Sequence, residues 1–301
     1  MSVSIDELQS WTGRTESRVE RLSTTPIAAL AATLDRADPQ PRDGDPVPPL
    51  WHWLYFLPLA PQAQLGEDGH PRRGGFLPPV PLPRRMWAGG RLTFHQPLHV
   101  GETVTRQSRI ESVDSKQGRT GALVFVKVLH ELRGARGLAI TEQQDLVYRE
   151  PATGADGARA RLAPALSTWR RRIEPSETLL FRYSALTFNS HRIHYDRPYA
   201  TSVEGYPALV VHGPLIATLL IDLLRRSVPG VAVASFAFRA VAPLFDSAAF
   251  DVCGERREGA DAVELWAMRG NGELAMEATA TLQDAYADAE RPGRGPPRDV
   301  E

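Results

Sequence analysis

The sequence has little cysteine, no long apolar run and no excess of either charge. Cys253 is the one cysteine in 301 residues, so the sequence alone excludes an intramolecular disulfide and a thiolate metal cluster. With 35 basic and 36 acidic residues, the chain offers no basic excess for a nucleic acid. The first residues are acidic rather than basic and apolar, and apolar runs stay below the roughly 20 residues that span a bilayer. We therefore expect a cytoplasmic protein that binds neither nucleic acid nor membrane.

The N-terminal third divides into a helical part and a proline-rich part. Residues 4–34 are predicted to be helical, with Ser4 as a cap and Pro26 opening a second segment. Residues 37–84 hold twelve of the 25 prolines, so long regular elements are not expected there. The same stretch also carries an aromatic cluster, which is poor composition for disorder. We expect an ordered loop with a short helical piece, its aromatics packed as a core plug or exposed as a binding surface. The cluster is Trp51, Trp53, Tyr55 and Phe56.

Each half of the chain contains four predicted strands. Short turn signals separate them, which predicts antiparallel pairing. The strands of the first half are Arg91–Gln96, Val104–Val113, Ala122–Leu132 and Leu138–Tyr148. Those of the second half are Val231–Val241, Ala248–Glu255, Ala262–Met268 and Glu273–Gln283. Between the two sets lie a linker by composition, residues 151–163, and an apolar helix over Leu215–Ser227 that ends at Pro229-Gly230.

This order of elements predicts an α+β fold in which an antiparallel sheet covers a helix. A sheet wrapped on one helix is a hotdog, and two such halves make a double hotdog. We expect residues 1–155 to form an N-terminal hotdog with a degenerate helix. Residues 165–287 then form the C-terminal hotdog, and residues 288–301 a flexible tail.

Candidate chemical groups concentrate in Phe181–Tyr199. General acid–base catalysis by His194 needs only its imidazole and a polar partner, which Asn189 or Asp196 supplies. A metal site built from His191, His194 and Asp196 is an alternative. A serine nucleophile, Ser184 or Ser190, is a weaker one because no G-x-S-x-G elbow surrounds it. The same groups are also compatible with a satisfied buried network that fixes a loop.

A second feature, His212-Gly213-Pro214, directly precedes the apolar helix. Backbone N–H groups at a helix start have no internal partner and carry the positive end of the dipole, so they bind the oxygen of a polarised carbonyl. Pro214 has no N–H, which leaves Gly213 as the natural donor. The alternative is that Gly213 only permits a tight turn.

Phe181–Tyr199 and Val211–Leu215 resemble the MaoC-like, R-specific enoyl-thioester hydratases and dehydratases. That family carries an Asp-x-Asn-Pro-aliphatic-His motif and a His-Gly pair that opens the hotdog helix. Here Ile193-His194 matches the end of the motif, and His212-Gly213 matches the pair. The segment SALTFNSHRIHYD is similar in sequence to segments of the mitochondrial-type 3-hydroxyacyl-thioester dehydratases and of the mesaconyl-C4-CoA and itaconyl-CoA hydratases. Supported by Trp51–Phe56 and Pro83–Phe94, the resemblance covers about residues 5–285.

The resemblance implies reversible addition of water across the 2,3-double bond of an enoyl thioester, with no cofactor and no metal. Asn189 stands where the family has its catalytic Asp, and Asn does not take up a proton at neutral pH. We therefore expect His194 to carry the acid–base step and Asn189 to hold the water, unless Asp196 assists. Gly213 is expected to bind the thioester oxygen. Two further hypotheses are a non-catalytic acyl-thioester-binding hotdog and a hotdog thioesterase.

The acyl-CoA substrate is the partner that the resemblance implies, and a homodimer is expected. Two of the activities in the subfamily act on acyl groups with a free carboxylate, which a guanidinium binds well. Arg192 is the candidate inside the motif, although an ion pair with Asp196 is the alternative. Arg84 and Arg85 are candidates either for the carboxylate or for CoA phosphates, and Arg197 is also available. The remaining substrate-binding candidates are His212, Tyr195 and Trp87.

Overall fold

A computed structural model describes residues 4–118, 121–150, 160–256 and 261–283. The strands of the first half are β1 Thr15–Arg21, β2 Arg84–Phe94, β3 Thr103–Gly118, β4 Gly121–Gly134 and β5 Gly137–Arg149. Those of the second half are β6 Trp169–Ile173, β7 Ala232–Ala240, β8 Phe250–Arg256, β9 Ala262–Arg269 and β10 Leu274–Gln283. The α-helices are α1 Ile5–Gln9, α2 Thr24–Thr33, α3 Glu177–Leu186 and α4 Gly213–Ser227. All ten strands form one antiparallel sheet in the order β1-β3-β4-β5-β2-β7-β10-β9-β8-β6.

The eight predicted strands are confirmed, with β2 beginning seven residues earlier than expected. The helix predicted over 4–34 is wrong in its middle, where β1 pairs along β3 from Thr15↔Arg109 to Arg21↔Thr103. The side chains of β1 alternate between exposed and half-buried, so pairing with a sheet edge overrides the weak helical preference of a charged segment. Strand β6 and helix α3 were not predicted.

The two halves join edge to edge between β2 and β7, in register from Gly89↔Arg239 to Thr93↔Ser235. This seam requires glycine. A Cβ on Gly89 would lie 2.7 Å from the Phe238 carbonyl oxygen, and one on Gly90 would lie 2.8 Å from the Phe238 ring. The two halves therefore share an uninterrupted backbone ladder, and each covers an edge that the other would expose.

Helix α4 is buried from Leu215 to Leu224 and packs against β6, β8, β9 and β10. Its buried Asp222 is held by Arg36, Arg171 and Arg226 at 2.5, 2.8 and 2.7 Å, which ties the helix to the segment after α2 and to β6. In the described part of the first half, the α-helices are the five residues of α1 and the ten of α2. The helix predicted over Leu215–Ser227 is confirmed and begins two residues earlier, at Gly213.

The proline-rich stretch is ordered, with short 3₁₀ turns at Trp51–Leu54 and Gln62–Gln64. Cys253 lies fully buried on β8. No helix within the described ranges is long and apolar enough to cross a membrane. The predicted linker is described only from residue 160, where Ala163 N–H donates to the Gly272 carbonyl. The predicted tail, 288–301, lies outside the described residues.

Candidate active site

A cavity of about 1140 Å³ lies where the two halves meet. The first half contributes Trp53 and Trp87 to its wall, and the second contributes His194 and Gly213. The aromatics of the proline-rich stretch combine two roles: Trp51, Tyr55 and Phe56 are buried in the core, and Trp53, Tyr55 and Phe56 line the cavity. The volume accommodates an acyl group together with part of its carrier.

His194 is held as a neutral base. Its Nδ1 lies 2.7 Å from the carbonyl oxygen of Val210, and because a carbonyl only accepts, Nδ1 carries the proton. The Nε2 atom is then an unprotonated acceptor. Burial lowers the pKa of His194 to about 4, with the Val210 hydrogen bond opposing this shift and nearby His70 adding to it. His194 lines the cavity, so the structure offers a base with a defined tautomer there.

His212 supports His194 from behind. It is fully buried, and its ring stacks on that of His194 with centroids 3.7 Å apart. Its Nε2 lies 2.8 Å from Ser184 Oγ. Burial and the neighbouring His194 hold the pKa of His212 well below its usual range. His212 is absent from the described cavity lining, so it fixes the position of His194 instead of facing a ligand.

Asn189 follows α3 and lines the cavity. Its Oδ1 accepts from the backbone N–H of His191 at 3.0 Å, and the backbone N–H of Asn189 donates to the Ser184 carbonyl at 2.8 Å. The side-chain oxygen is thus already engaged in shaping the loop. The amide NH₂ group is the part of Asn189 that can donate to a water or to a substrate oxygen.

Gly213 begins α4, with His212 as the residue before it and Pro214 after it. Its N–H belongs to the first turn, where no helix carbonyl is in reach. A Cβ on Gly213 would lie 3.8 Å from the Trp87 carbonyl oxygen of the other half, which is ordinary contact. The helix N-terminus therefore opens on the cavity directly across from β2.

A loop of the first half is fixed on the histidine motif. Arg192 N–H donates to the Asp68 carbonyl at 2.9 Å, and its Nη1 donates to the Glu67 carbonyl at 3.0 Å. Ser190 Oγ donates to the Gly69 carbonyl at 2.5 Å. Gly69 has φ +86°, and a Cβ there would lie 1.9 Å from the Ser190 carbonyl oxygen, so this contact requires glycine. Residues of both halves thus hold the histidine motif in place.

Arg192 is part of this contact and does not belong to the described cavity lining. Its Nε and Nη2 donate to Asp196 Oδ2 at 2.9 and 2.8 Å, and its guanidinium lies over the Tyr199 ring. The structural ion pair considered for Arg192 is confirmed. The predicted substrate contact of its guanidinium is not supported by this geometry. Asp196 also accepts from the Tyr199 N–H at 3.1 Å, so both of its oxygens are engaged away from His194.

Asp68, His70 and His191 form a cluster that the sequence did not reveal. His70 Nδ1 lies 3.0 Å from Asp68 Oδ2, and the His70 and His191 rings lie 4.0 Å apart. Their potential ligand atoms fall within 4.8 Å of one another, which is the arrangement of a possible metal site. The positive charge of the neighbouring Arg85 disfavours a bound cation at this cluster. Burial and this guanidinium lower the pKa of His70 to about 4, although the Asp68 carboxylate opposes the shift. The triad of His191, His194 and Asp196 does not form, because Arg192 and Tyr199 occupy Asp196.

The other predicted contacts differ in their surroundings. Trp87 packs against Trp53 with ring centroids 5.0 Å apart and forms an apolar wall. Tyr195 lines the cavity and is half exposed. Arg84 lines it too but is paired with Glu204 at 3.1 Å. Arg85 lies beside Tyr148 and His70. Arg197 is engaged by Asp246 and Glu177.

A buried carboxylate fixes a further part of the cavity wall. Glu142 lies 3.0 Å from His52 Nε2 and accepts from Trp53 Nε1 at 3.0 Å and from Gln144 at 2.8 Å. Burial would raise the pKa of Glu142, but His52 and the other donors lower it to about 2. Glu142 thus stays charged and orients Trp53. Sequence spacing does not predict the contact between His52 and Glu142, because the two residues are 90 positions apart.

Comparison with known proteins places this geometry in a family. The chain is 47% identical over 274 residues to the mesaconyl-C(4)-CoA hydratase of Chloroflexus aurantiacus, covering 91% of this chain and 97% of the relative. A MaoC-like dehydratase structure matches with a TM-score of 0.67 at 13% identity, covering 93% and 99% of the two chains. A Mycobacterium tuberculosis protein described as having a double hotdog fold matches at 0.56 and 12%, covering 93% and 98%. These two structures show the fold. The family model of hydroxyacyl-thioester dehydratase type 2 matches residues 50–246, a span that includes Trp53, His194 and Gly213, and the chain belongs to that family.

Proposed function

We propose that this protein catalyses the reversible hydration of a 2-enoyl-CoA thioester with a branched C5 dicarboxylic acyl group, mesaconyl-C4-CoA. The observation that carries the proposal is His194, a neutral base of fixed tautomer, in one cavity with the helix N-terminus at Gly213. The 47% identity to a mesaconyl-C(4)-CoA hydratase supports the reaction class and this choice of acyl group.

In the hydration direction, His194 Nε2 removes a proton from water as the water oxygen bonds to C3. The C2–C3 π electrons move toward the thioester carbonyl, whose oxygen becomes an enolate. The N–H of Gly213 stabilises that charge by a hydrogen bond and through the helix dipole. The His194 imidazolium then returns its proton to C2, and the enolate collapses to the 3-hydroxyacyl thioester. Dehydration follows the reverse path, so no cofactor or metal is needed.

The other site residues are assigned supporting roles. Asn189 donates from its amide to the attacking water, and Trp87 forms the apolar wall for the acyl chain. Tyr195 contacts the carrier at the exposed rim. Arg192 and His212 position the motif, and Arg84 supports the rim through Glu204. Each assignment follows from where the side chain lies relative to the cavity and from what it already binds.

The proposal extends to organisation. We assign residues 1–155 and 165–287 to two hotdog halves, the second wrapped on α4 and the first with a degenerate helix. A homodimer is consistent with the exposed apolar side chains of Phe181, Phe188 and Val203. A cytoplasmic location is consistent with the free thiol of Cys253.

A spectroscopic assay with purified protein tests the proposed reaction. Hydration removes the absorbance of the conjugated enoyl thioester without releasing thiol, whereas a thioesterase releases free CoA. A binding protein does neither. We expect loss of enoyl absorbance, no free thiol, and the same rate in the presence of a chelator. Release of CoA without loss of the double bond would contradict the proposal.

A further inference from the structure

Two neighbouring polar groups in the cavity are hydrogen-bond donors, and neither is bonded to a carboxylate within the described ranges. The first is the guanidinium of Arg85. Its neighbour Arg84 is paired with Glu204, and Arg73 donates to the carbonyls of Val80, Leu82 and Pro83. Arg85 lines the same cavity, and no salt bridge joins it to a carboxylate in the described part of the chain, although it is near enough to Asp68 to lower the pKa of that carboxyl. A partly buried cation of this kind provides a ready position for an anion.

The second group is the hydroxyl of Tyr148. The residue is fully buried and lines the cavity, and its oxygen has no hydrogen-bond partner of normal geometry, with the Arg85 guanidinium as the nearby group that donates toward it. Leaving a buried hydroxyl unpaired is costly, so such groups in proteins usually have a partner. Burial raises the pKa of Tyr148, so the phenol remains protonated and able to donate.

Arg85 and Tyr148 are direct partners in the β2–β5 ladder, so their side chains project from the same face. The guanidinium groups of Arg85 and Arg73 lie close enough to the Tyr148 phenol to oppose part of the rise in its pKa. Arg73 also lies over the Tyr148 ring, with 5.4 Å to the centroid. Arg85 donates toward the phenol oxygen, and the remaining N–H groups of Arg85 and the O–H of Tyr148 are then neighbouring donors on one face.

This pair lies beside the histidines that neighbour the proposed base. Arg85 is near enough to His70 and His191 to lower the pKa of each. His191 in turn meets His194 edge to face, with ring centroids 5.4 Å apart. In a thioester whose C3 bears a carboxylate, that carboxylate sits one bond from the carbon that receives water.

We propose that Arg85 and the Tyr148 hydroxyl bind the free carboxylate of the acyl group and thereby select dicarboxylic enoyl thioesters. The inference rests on the proposed hydration and adds the residues that determine its specificity. The guanidinium forms the charge-assisted bonds, and the phenol donates to a carboxylate oxygen. A CoA phosphate is the other anion in the system. A CoA phosphate is a poorer ligand for this pair than the acyl carboxylate, because the phosphates of CoA would lie at the open rim, whereas Tyr148 is fully buried.

The test uses two substrates that differ only at the position in question: mesaconyl-C4-CoA and 3-methylcrotonyl-CoA, which has a methyl group in place of the carboxylate. We expect the wild-type protein to prefer the first. Arg85→Met should lower kcat/KM for mesaconyl-C4-CoA by about 10²-fold or more, and Tyr148→Phe by about tenfold. Both variants should keep hydration of 3-methylcrotonyl-CoA within about threefold of wild type, since they remove no group that acts on its double bond.

Arg72→Met is the matched control, because it removes the same charge from an exposed residue at the cavity rim. It should leave the substrate preference unchanged. An equal loss on both substrates by folded Arg85→Met and Tyr148→Phe proteins would overturn the proposal. So would an Arg85→Met effect that disappears with the mesaconyl thioester of pantetheine, since that result assigns Arg85 to a CoA phosphate. Wild-type hydration of both thioesters without preference would refute this specificity alone, whereas hydration of neither would refute the proposed function.

Discussion

The imidazole rings of His194 and His212 stack with centroids 3.7 Å apart and planes 20° apart. A proton on either ring would place a charge against the buried neighbour, so both remain neutral in the folded protein at neutral pH. The Val210 carbonyl then selects the tautomer of His194, and Ser184 holds His212. This stacked pair gives the cavity a base and prevents that base from turning.

His194→Gln should lower the hydration rate by at least about 10²-fold, because general acid–base groups contribute 10²–10⁴-fold. The fold should survive, since glutamine can still donate to the Val210 carbonyl. Enoyl absorbance gives the rate, and circular dichroism reports the fold. His95→Gln is the control, as His95 is exposed and bonds to Thr141 on the sheet. A folded His194→Gln protein with more than about a tenth of the rate would contradict the assigned role.

The free energy of unfolding should fall as the pH decreases from about 6.5 to 4. The pKa values of His70 and His194 are lowered to about 4 in the folded protein, so in this window the unfolded chain binds more protons. Each such histidine destabilises the fold by about 1.4 kcal/mol per pH unit. Urea unfolding at several pH values measures the slope, and His194→Gln should make it shallower. A slope that this variant leaves unchanged would show that His194 titrates normally.

Asn189→Asp should keep measurable activity, and Asn189→Ala should lose most of it. Aspartate retains an oxygen for the His191 N–H and adds a carboxylate at the cavity wall, whereas alanine removes both the loop contact and the amide donor. Steady-state rates of the two folded variants make the comparison. An active alanine variant beside an inactive aspartate variant would place Asn189 outside the water site.

Arg192→Met should lower the rates on mesaconyl-C4-CoA and 3-methylcrotonyl-CoA by the same factor. Its guanidinium holds the Glu67 carbonyl and Asp196, so its loss loosens the loop under the motif without touching the acyl group. We expect a lower melting temperature as well. A loss of activity on mesaconyl-C4-CoA alone would instead show that Arg192 binds the substrate carboxylate.

The fragments 1–155 and 156–301 should each fail to give an active soluble protein. Separating them exposes the β2 and β7 edges and removes the Trp87 wall from opposite Gly213. Expression of each fragment, followed by size exclusion and the hydration assay, tests this expectation. Activity in the C-terminal fragment alone would refute it.

Patterns that repeat along the chain were readable from the sequence. Alternating β-branched segments located eight of the ten strands, and helical spacing located α4. Strand β1 was missed because TESRVER has little apolar content and is extended only by its pairing with β3. Helix α3 was not predicted, because its last residues overlap Phe181–Tyr199, a segment in which polar residues of the motif are dense.

The site was predictable where one segment carries it. His194 and Gly213 lie in or beside recognisable motifs, and the structure brings both to one cavity. His70 and Tyr148 were not found, because each comes to the motif from a distant segment: one through the loop docked on Ser190 and Arg192, the other through cross-strand pairing with Arg85. Partners set by tertiary contacts leave no local signal.

The glycine seam between β2 and β7 limits how the enzyme can move. A hinge between the halves would have to break the ladder from Gly89↔Arg239 to Thr93↔Ser235 at every turnover. Because Trp87 belongs to β2 and its carbonyl oxygen faces Gly213 at the start of α4, the ladder fixes the cavity wall of the first half relative to the second half. Opening for substrate exchange then falls to the rim loops and side chains, such as the half-exposed Tyr195, while the reacting groups keep their spacing.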